Sequence, residues 1–155
     1  MKVTFGNSPL VSHEQLFEDF LKDASEQEWD TPHWCVAANE ATGHSVMVAE
    51  IDPTEVGDML VAAGPQLLTE ISWVAIYIEG FGQPFNNDKE TPPSRAFFGR
   101  DKSKDVEFKM AFFLSEGEQR MAYLARGTDE WERFENYGNS LIADQIEIMK
   151  RRWSW

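Results

Sequence analysis

Val106, Phe108, Met110, Phe112 and Leu114 alternate strictly with Asp105, Glu107, Lys109, Ala111 and Phe113. A period of two sends successive side chains to opposite faces, so this run is a strand with one strongly apolar face. Glu116-Gly117 then supplies a two-residue turn. The turn sets Ser115 opposite Glu118, Phe112 opposite Met121 and Met110 opposite Tyr123. On the other face it sets Glu107 opposite Arg126, a favourable cross-strand pair. Turn chemistry, apolar face and charge pair therefore specify one hairpin.

Ile71 to Glu79 predicts a second kind of strand. Ser72, Val74, Ile76 and Ile78 face one way, and Ile71, Trp73, Ala75, Tyr77 and Glu79 the other. Both faces are mostly apolar, so this strand is expected at the centre of a sheet covered on both sides. Trp34–Asn39 and Ser45–Ile51 predict two more strands, joined as a hairpin through Glu40-Ala41-Thr42-Gly43-His44. Arg95–Phe98 predicts a short strand.

Three helices are expected. Ser12-His13-Glu14-Gln15 fits a capping box, and Leu16, Phe17, Phe20, Leu21 and Ala24 follow at helical spacing over residues 13–26. Asp52-Pro53 reads as a helix start and Gly64-Pro65 as its end, with Val56, Met59, Leu60 and Ala63 as the apolar stripe. Thr128, Asp129 and Glu130 read as the cap and first turn of a last helical region, broken at Gly138. Leu141, Ile142, Gln145, Ile146, Met149 and Trp153 share one face of it, and Lys150, Arg151 and Arg152 suit its C-terminal end. The order α-β-β-α-β-loop-β-β-β-α predicts one α+β domain over 1–155. It is a largely antiparallel sheet of five to six strands with an N-terminal, a mid-chain and a C-terminal helix packed on it.

Composition narrows the function classes. Hydrophobic residues at 42% exclude a mainly disordered chain. The net charge of -13 argues against duplex nucleic acid and anionic membranes as partners, which need clustered Lys and Arg. The deficit is segregated: residues 1–92 carry 16 Asp/Glu and 3 Lys/Arg, and residues 93–155 carry 11 of each. One reading is a solubilising surface. The sharper one is an acidic face that docks on a basic partner, with Glu14, Glu18, Asp19 and Asp23 of the first helix as candidates. Met1–Asn7 has no apolar core of a secretory signal. The longest apolar run, Trp73–Ile78, is far short of the roughly 20 residues of a membrane helix. The cytoplasm is the expected compartment.

Chemistry-bearing residues are sparse. The lone Cys35 has His33 two residues back and His44 in the hairpin loop. The hairpin register sets Cys35 opposite Val48, too far along the strand from His44 for a hydrogen bond, so an inert buried thiol is expected. His33, Cys35, His44 and Glu50 lack metal-ligand spacing, and His33–Glu50 reads as a cross-strand ion pair. Gly80-Phe81-Gly82 precedes neither a helix start nor a Gly-Lys-Ser/Thr, so no cofactor is expected. Arg95, Phe97, Phe98, Arg100, Lys102 and Lys104 make a small basic-aromatic patch of the kind that binds single strands.

Two further places stand out. Residues 80–94 form a long irregular loop beside the end of the central strand, where ligand sites are common. Trp73, Tyr77, Glu79 and Phe81 are its ligand-binding candidates, and the plainer reading of Glu79 is a carboxylate that reaches solvent. Trp153 and Trp155 at the C-terminal end either fold back on the domain or anchor a partner or a second copy.

Trp73–Gly127 resembles small uncharacterised proteins of actinobacteria and their phages. The shared features are a strand ending in Glu79-Gly80-Phe81, a Pro-bearing loop, and a hairpin whose second strand ends in Arg126-Gly127. Phe81 and Glu116-Gly117 stand where Trp and Asp-Gly would be expected. The resemblance implies a phage or mobile-element accessory protein and brings no activity or catalytic residue with it. The expectation is therefore an acidic, non-enzymatic module that binds the basic surface of another protein through its own acidic and aromatic surface, and modulates a host function. A small-molecule site around Glu79 and a homo-oligomeric structural subunit are the alternatives.

Overall fold

The computed structural model describes residues 1–82, 106–135 and 142–155. Its elements run β1 (Lys2–Asn7), α1 (His13–Glu26), β2 (Trp34–Asn39), β3 (His44–Ala49), α2 (Val56–Leu67), β4 (Trp73–Gly82), β5 (Val106–Ser115), β6 (Glu118–Ala125), β7 (Glu132–Glu135) and α3 (Ala143–Trp153). The seven strands form one antiparallel sheet in the order β1-β3-β2-β4-β5-β6-β7. This is the α+β class expected, with the three helices placed as expected.

The sheet has a different cover on each face. Cys35, Ala37, Val46, Val48, Val74, Ile76, Phe112 and Met121 point to the side of α2 and α3, where they meet Val56, Leu60, Ile146 and Met149. Trp34, Trp73, Tyr77, Ala111 and Phe113 point to the side of α1 and meet Leu16, Phe17, Phe20 and Leu21. Each fully buried Leu or Phe stabilises the fold by about 1.5–3 kcal/mol relative to exposure. β4 carries both sets in alternation, which is why its sequence is apolar on both faces. The β5–β6 register is the one expected, with Ser115 opposite Glu118, Phe112 opposite Met121 and Met110 opposite Tyr123. Arg126 pairs with Glu107 one step beyond the ladder.

Four sequence expectations change. β1 was not anticipated: all six of its residues are exposed, and its alternation amounts to two apolar residues, Val3 and Phe5, between Lys2, Thr4 and Gly6. Asp52 does not start a helix: its Oδ1 accepts from the Thr54 N–H at 2.9 Å and the Thr54 hydroxyl at 2.7 Å, closing a turn, and α2 begins at Val56. Gly64 does not end α2, which runs to Leu67. A Cβ at Gly64 would sit 3.2 Å from Ile71 and 3.4 Å from Trp153, so the glycine serves close packing. Thr128 caps a turn by donating to the Ala125 carbonyl at 2.6 Å, and the chain returns as β7 with Phe134 stacked on Tyr123. The strand expected at Arg95–Phe98, the helix break expected at Gly138 and most of the 80–94 loop lie outside the described residues. Gly80, Phe81 and Gly82 belong to β4.

α2 and α3 meet at Gly57. The α2 N-terminus has no side-chain cap of its own, and the Gln145 Oε1 of α3 accepts from the N–H groups of Gly57 at 2.8 Å and Asp58 at 3.1 Å. A Cβ on Gly57 would lie 2.5 Å from the Gln145 backbone oxygen. Alanine gains up to about 1 kcal/mol in helix propensity, but forcing two helices apart costs about 1–3 kcal/mol. Gly57→Ala is expected to lower stability, read as a drop in the urea midpoint; an unchanged or raised midpoint would show that the crossing yields freely.

Candidate functional site

The Glu79 region is closed by its own contacts. Tyr77 is fully buried, and its hydroxyl donates to Glu79 Oε1 at 2.6 Å. The Asp30 N–H donates to Glu79 Oε2 at 2.9 Å. Burial and then the Glu79 carboxylate push the Tyr77 phenol well above its ordinary range. Carboxylate oxygens of Asp30, Glu79 and Glu107 lie within 4.8 Å of one another, the one cluster of metal-ligand type among the described residues. Arg126 pairs with Glu107, and Lys109 stands opposite Glu79 across the ladder. Lys109 and Arg126 also hold the Trp29 ring, with centroid distances of 5.1 and 5.2 Å. Phe81, 68% exposed, projects beyond this group. Of the four ligand candidates, Tyr77 and Glu79 are thus engaged within the fold, and Trp73 belongs to a different site.

That site is a groove. α1 lies over β4 and β5 and reaches Trp34 of β2, leaving the same face of β1 and β3, and of β2 around Val36, without a helix above it. A cavity of about 630 Å³ opens between α1 and these strands. Its floor is apolar: Val36 and Met47 face each other across β2–β3, and Trp34, Trp73 and Ala75 continue it. Its helical wall carries Asp19, Asp23 and Glu26, spaced so that all three fall on one face of α1. Burial, then the neighbouring Glu26 and Asp19, push the Asp23 carboxyl above its usual range, against the pull of Lys22. Such crowding of like charge is relieved by an arriving cation.

Trp73 forms part of this floor and is only 5% exposed. Its indole N–H has no acceptor among the described residues. Two other indoles of this face are satisfied: Trp34 donates to Gln27 Oε1 at 2.8 Å and Trp131 to Ser25 Oγ at 2.7 Å. A buried donor without a partner costs about 1–3 kcal/mol, so Trp73 is the polar residue left unsatisfied beside the groove.

A second cavity of about 370 Å³ shares Ser8, Pro9, Leu16 and Trp73 with the first and runs under residues 8–12. His13 closes its end. Its Nδ1 lies 2.9 Å from Glu118 Oε2, its Nε2 contacts Glu40, and its ring packs on Phe113. Burial opposes the charged ring, but hydrogen bonds and charge from Glu40 and Glu118 outweigh it, so the pKa rises above 6.5. A raised histidine stabilises the fold fully below its unfolded value and loses that contribution as pH climbs through the folded value. Unfolding free energy is therefore expected to fall as pH rises above 6.5. His13→Gln should flatten that slope in urea titrations at several pH values; an equal slope in the variant would refute the assignment.

The interaction candidates separate. Asp19 and Asp23 line the groove. Glu18 is ion-paired with Arg133 on the β7 side of α1, and Glu14, exposed, adds to the field at the same arginine. The rings of Trp153 and Trp155 lie 5.3 Å apart, tilted to one another, and pack, half-buried, against the core on the opposite face of the sheet. Glu26, Val36 and Met47 were not anticipated. The 19, 23, 26 spacing was there to be read, but the open floor depends on strand order.

The remaining candidates stay apart. Cys35 is buried among the α2 and α3 side chains, and burial pushes its thiol up to about 12, against a hydrogen bond from the Val48 backbone. Glu50 pairs with the Met1 ammonium and Lys2, in place of the His33 pair expected from register. The basic-aromatic patch at 95–104 lies outside the described residues. Among the described residues no helix is long and apolar enough to cross a membrane. No protein-family model, curated protein or solved structure matches the chain.

Proposed function

We propose that this chain is a protein-interaction module whose groove beside α1 takes a basic segment of another protein. The observation that carries the reading is the row Asp19, Asp23 and Glu26 above the apolar floor of Val36, Met47 and Trp73. Lys or Arg side chains of the segment meet the carboxylates, an apolar side chain fills the floor, and its backbone offers acceptors near the Trp73 indole. Electrostatic complementarity of this kind sets partner choice and association rate and weakens with salt. The reading goes with a cytoplasmic setting and with modulation of a host protein, the context implied by the resemblance of Trp73–Gly127. A ligand at Glu79 has less support, since both of its carboxylate oxygens are used within the protein. A subunit joined by its tryptophan tail has less support too, since Trp153 and Trp155 pack on their own core.

The test uses three fluorescent peptides: Lys/Arg-rich with a central Trp-Leu pair, the same pair among Glu residues, and Lys/Arg-rich without apolar side chains. The first should bind most tightly and weaken with added salt. The double variant Asp19→Lys, Asp23→Lys should weaken it by about tenfold or more, roughly 1.4 kcal/mol. Equal binding of the acidic and basic peptides, or no response to the double variant, would overturn the reading.

A further inference from the structure

We propose that two copies of this chain pair edge to edge through β1, forming an antiparallel two-fold dimer with one continuous sheet. The inference concerns a different surface from the groove and does not depend on it. β1 ends the sheet: it pairs with β3 on one side and with no described strand on the other. An unpaired edge displays backbone N–H and C=O groups that template another strand, and protein edges usually block this with charge, proline or a bulge. β1 reads Lys-Val-Thr-Phe-Gly-Asn, without proline, and its single charge, Lys2, is engaged at one end with Glu50.

Exposed apolar side chains lie on the strand itself. Val3 and Phe5 are both exposed and share the face of β1 that continues Val48 and Val46 of β3. Apolar side chains exposed side by side on an open edge mark an interaction surface. Charge selects the occupant. Two molecules of net charge -13 repel, yet residues 1–12 contain no Asp or Glu. The carboxylate beside this strand, Glu50, is paired with the Met1 ammonium and Lys2 of its own copy, so two copies can approach here without unpaired carboxylates opposed.

The edge is also self-complementary. In an antiparallel pair centred on Thr4, Val3 of each copy faces Phe5 of the other, and Lys2 faces Gly6. No like charges meet. Val3 and Phe5 pair on β3 with Val48 and Val46, which belong to the core under α2 and α3. The four side chains of the seam would thus extend that core from one copy into the next. The two-fold axis stands perpendicular to the sheet, so both grooves open on the same face, and the interface is isologous and closed.

The experiment is sedimentation and light scattering of the full chain over a concentration series, with circular dichroism as the check on folding. The mass is expected to move from 17.8 kDa to twice that value as concentration rises. Phe5 is 64% exposed in the single chain, so Phe5→Lys should fold normally, as should Val3→Glu. Each variant alone should weaken dimerisation by about tenfold or more. Mixed together they should restore it, because Glu at 3 then faces Lys at 5 while Phe5 faces Val3. A mass fixed at one chain, a dimer indifferent to both variants, or no recovery on mixing would overturn the proposal.

Discussion

Lys109→Met is expected to destabilise the fold by about 2–4 kcal/mol. Lys109 is 1% exposed, and its ammonium donates to the Ala24 carbonyl at 2.8 Å and to the Gln27 carbonyl at the end of α1. The last carbonyls of a helix have no partners within it, and α1 has no basic residue in its own last turn. A cation from the sheet fills that role. Hydrogen bonds to a charged donor contribute about 1.5–3 kcal/mol each, and a cation at a partly buried helix C-terminus up to about 2 kcal/mol. Against this stands the desolvation that lowers the Lys109 pKa, opposed by Glu79. Methionine recovers that part, so the net loss is smaller than the sum. The variant also removes the buried cation that stands opposite Glu79. Urea denaturation measures the loss directly. A change under about 0.5 kcal/mol would mean that water replaces the amine at no cost, well outside what two lost charged hydrogen bonds allow.

The second large effect is expected at Phe113, with Phe113→Ala costing about 3–5 kcal/mol. The ring is fully buried on the α1 face of β5. It stacks on Trp73 at 5.4 Å, meets Phe17 edge-on at 6.2 Å and lies 5.4 Å from the His13 ring. Truncation removes apolar transfer energy and leaves a void between α1 and the sheet that backbone relaxation fills only in part. Phe113→Leu keeps more of the volume and should cost less than the alanine variant. Because Phe113 supports His13 and Trp73 together, the alanine variant should also reduce the pH slope assigned to His13. Thermal unfolding at pH 6 and pH 8 reads both effects. A full-sized stability loss with an unchanged slope would show that His13 is held by Glu40 and Glu118 alone.

Local chemistry and long-range order were unequally legible in this chain. The 106–125 hairpin could be read down to its register because turn, alternation and charge pair all lie within twenty residues of one another. α1 could be read from its capping box, and Ser12 does accept from the Gln15 N–H at 3.1 Å. β1 was not read, since its alternation rests on only two apolar residues, Val3 and Phe5, and its place depends on pairing with β3. Thr128-Asp129-Glu130 imitates a helix start, but the exposed edge of β6 captures residues 132–135 as a strand. Tertiary pairing overrides such a local signal. The same division holds for the site. Asp19 and Asp23 were visible as an acidic face of α1, whereas their position above Val36 and Met47 follows from β3 lying between β1 and β2. Glu79 drew notice as a charge ending an apolar strand. Its surroundings, Asp30 after α1 and Glu107 and Lys109 on β5, come from two other parts of the chain, and together they make a brace, with both of its oxygens already in use.

α1 is fastened at both ends by side chains of the sheet. His13 ties its first turn to Glu40 in the β2–β3 turn and Glu118 at the start of β6, and Lys109 ties its last turn to β5. A wall held at two points keeps its distance from the floor. The groove is therefore pre-organised: its width and the spacing of its carboxylates are set when the chain folds. On the proposed reading, a bound segment would order only itself, binding would lose little free energy to rearrangement of the host, and affinities for different segments would differ mainly in how long each one stays.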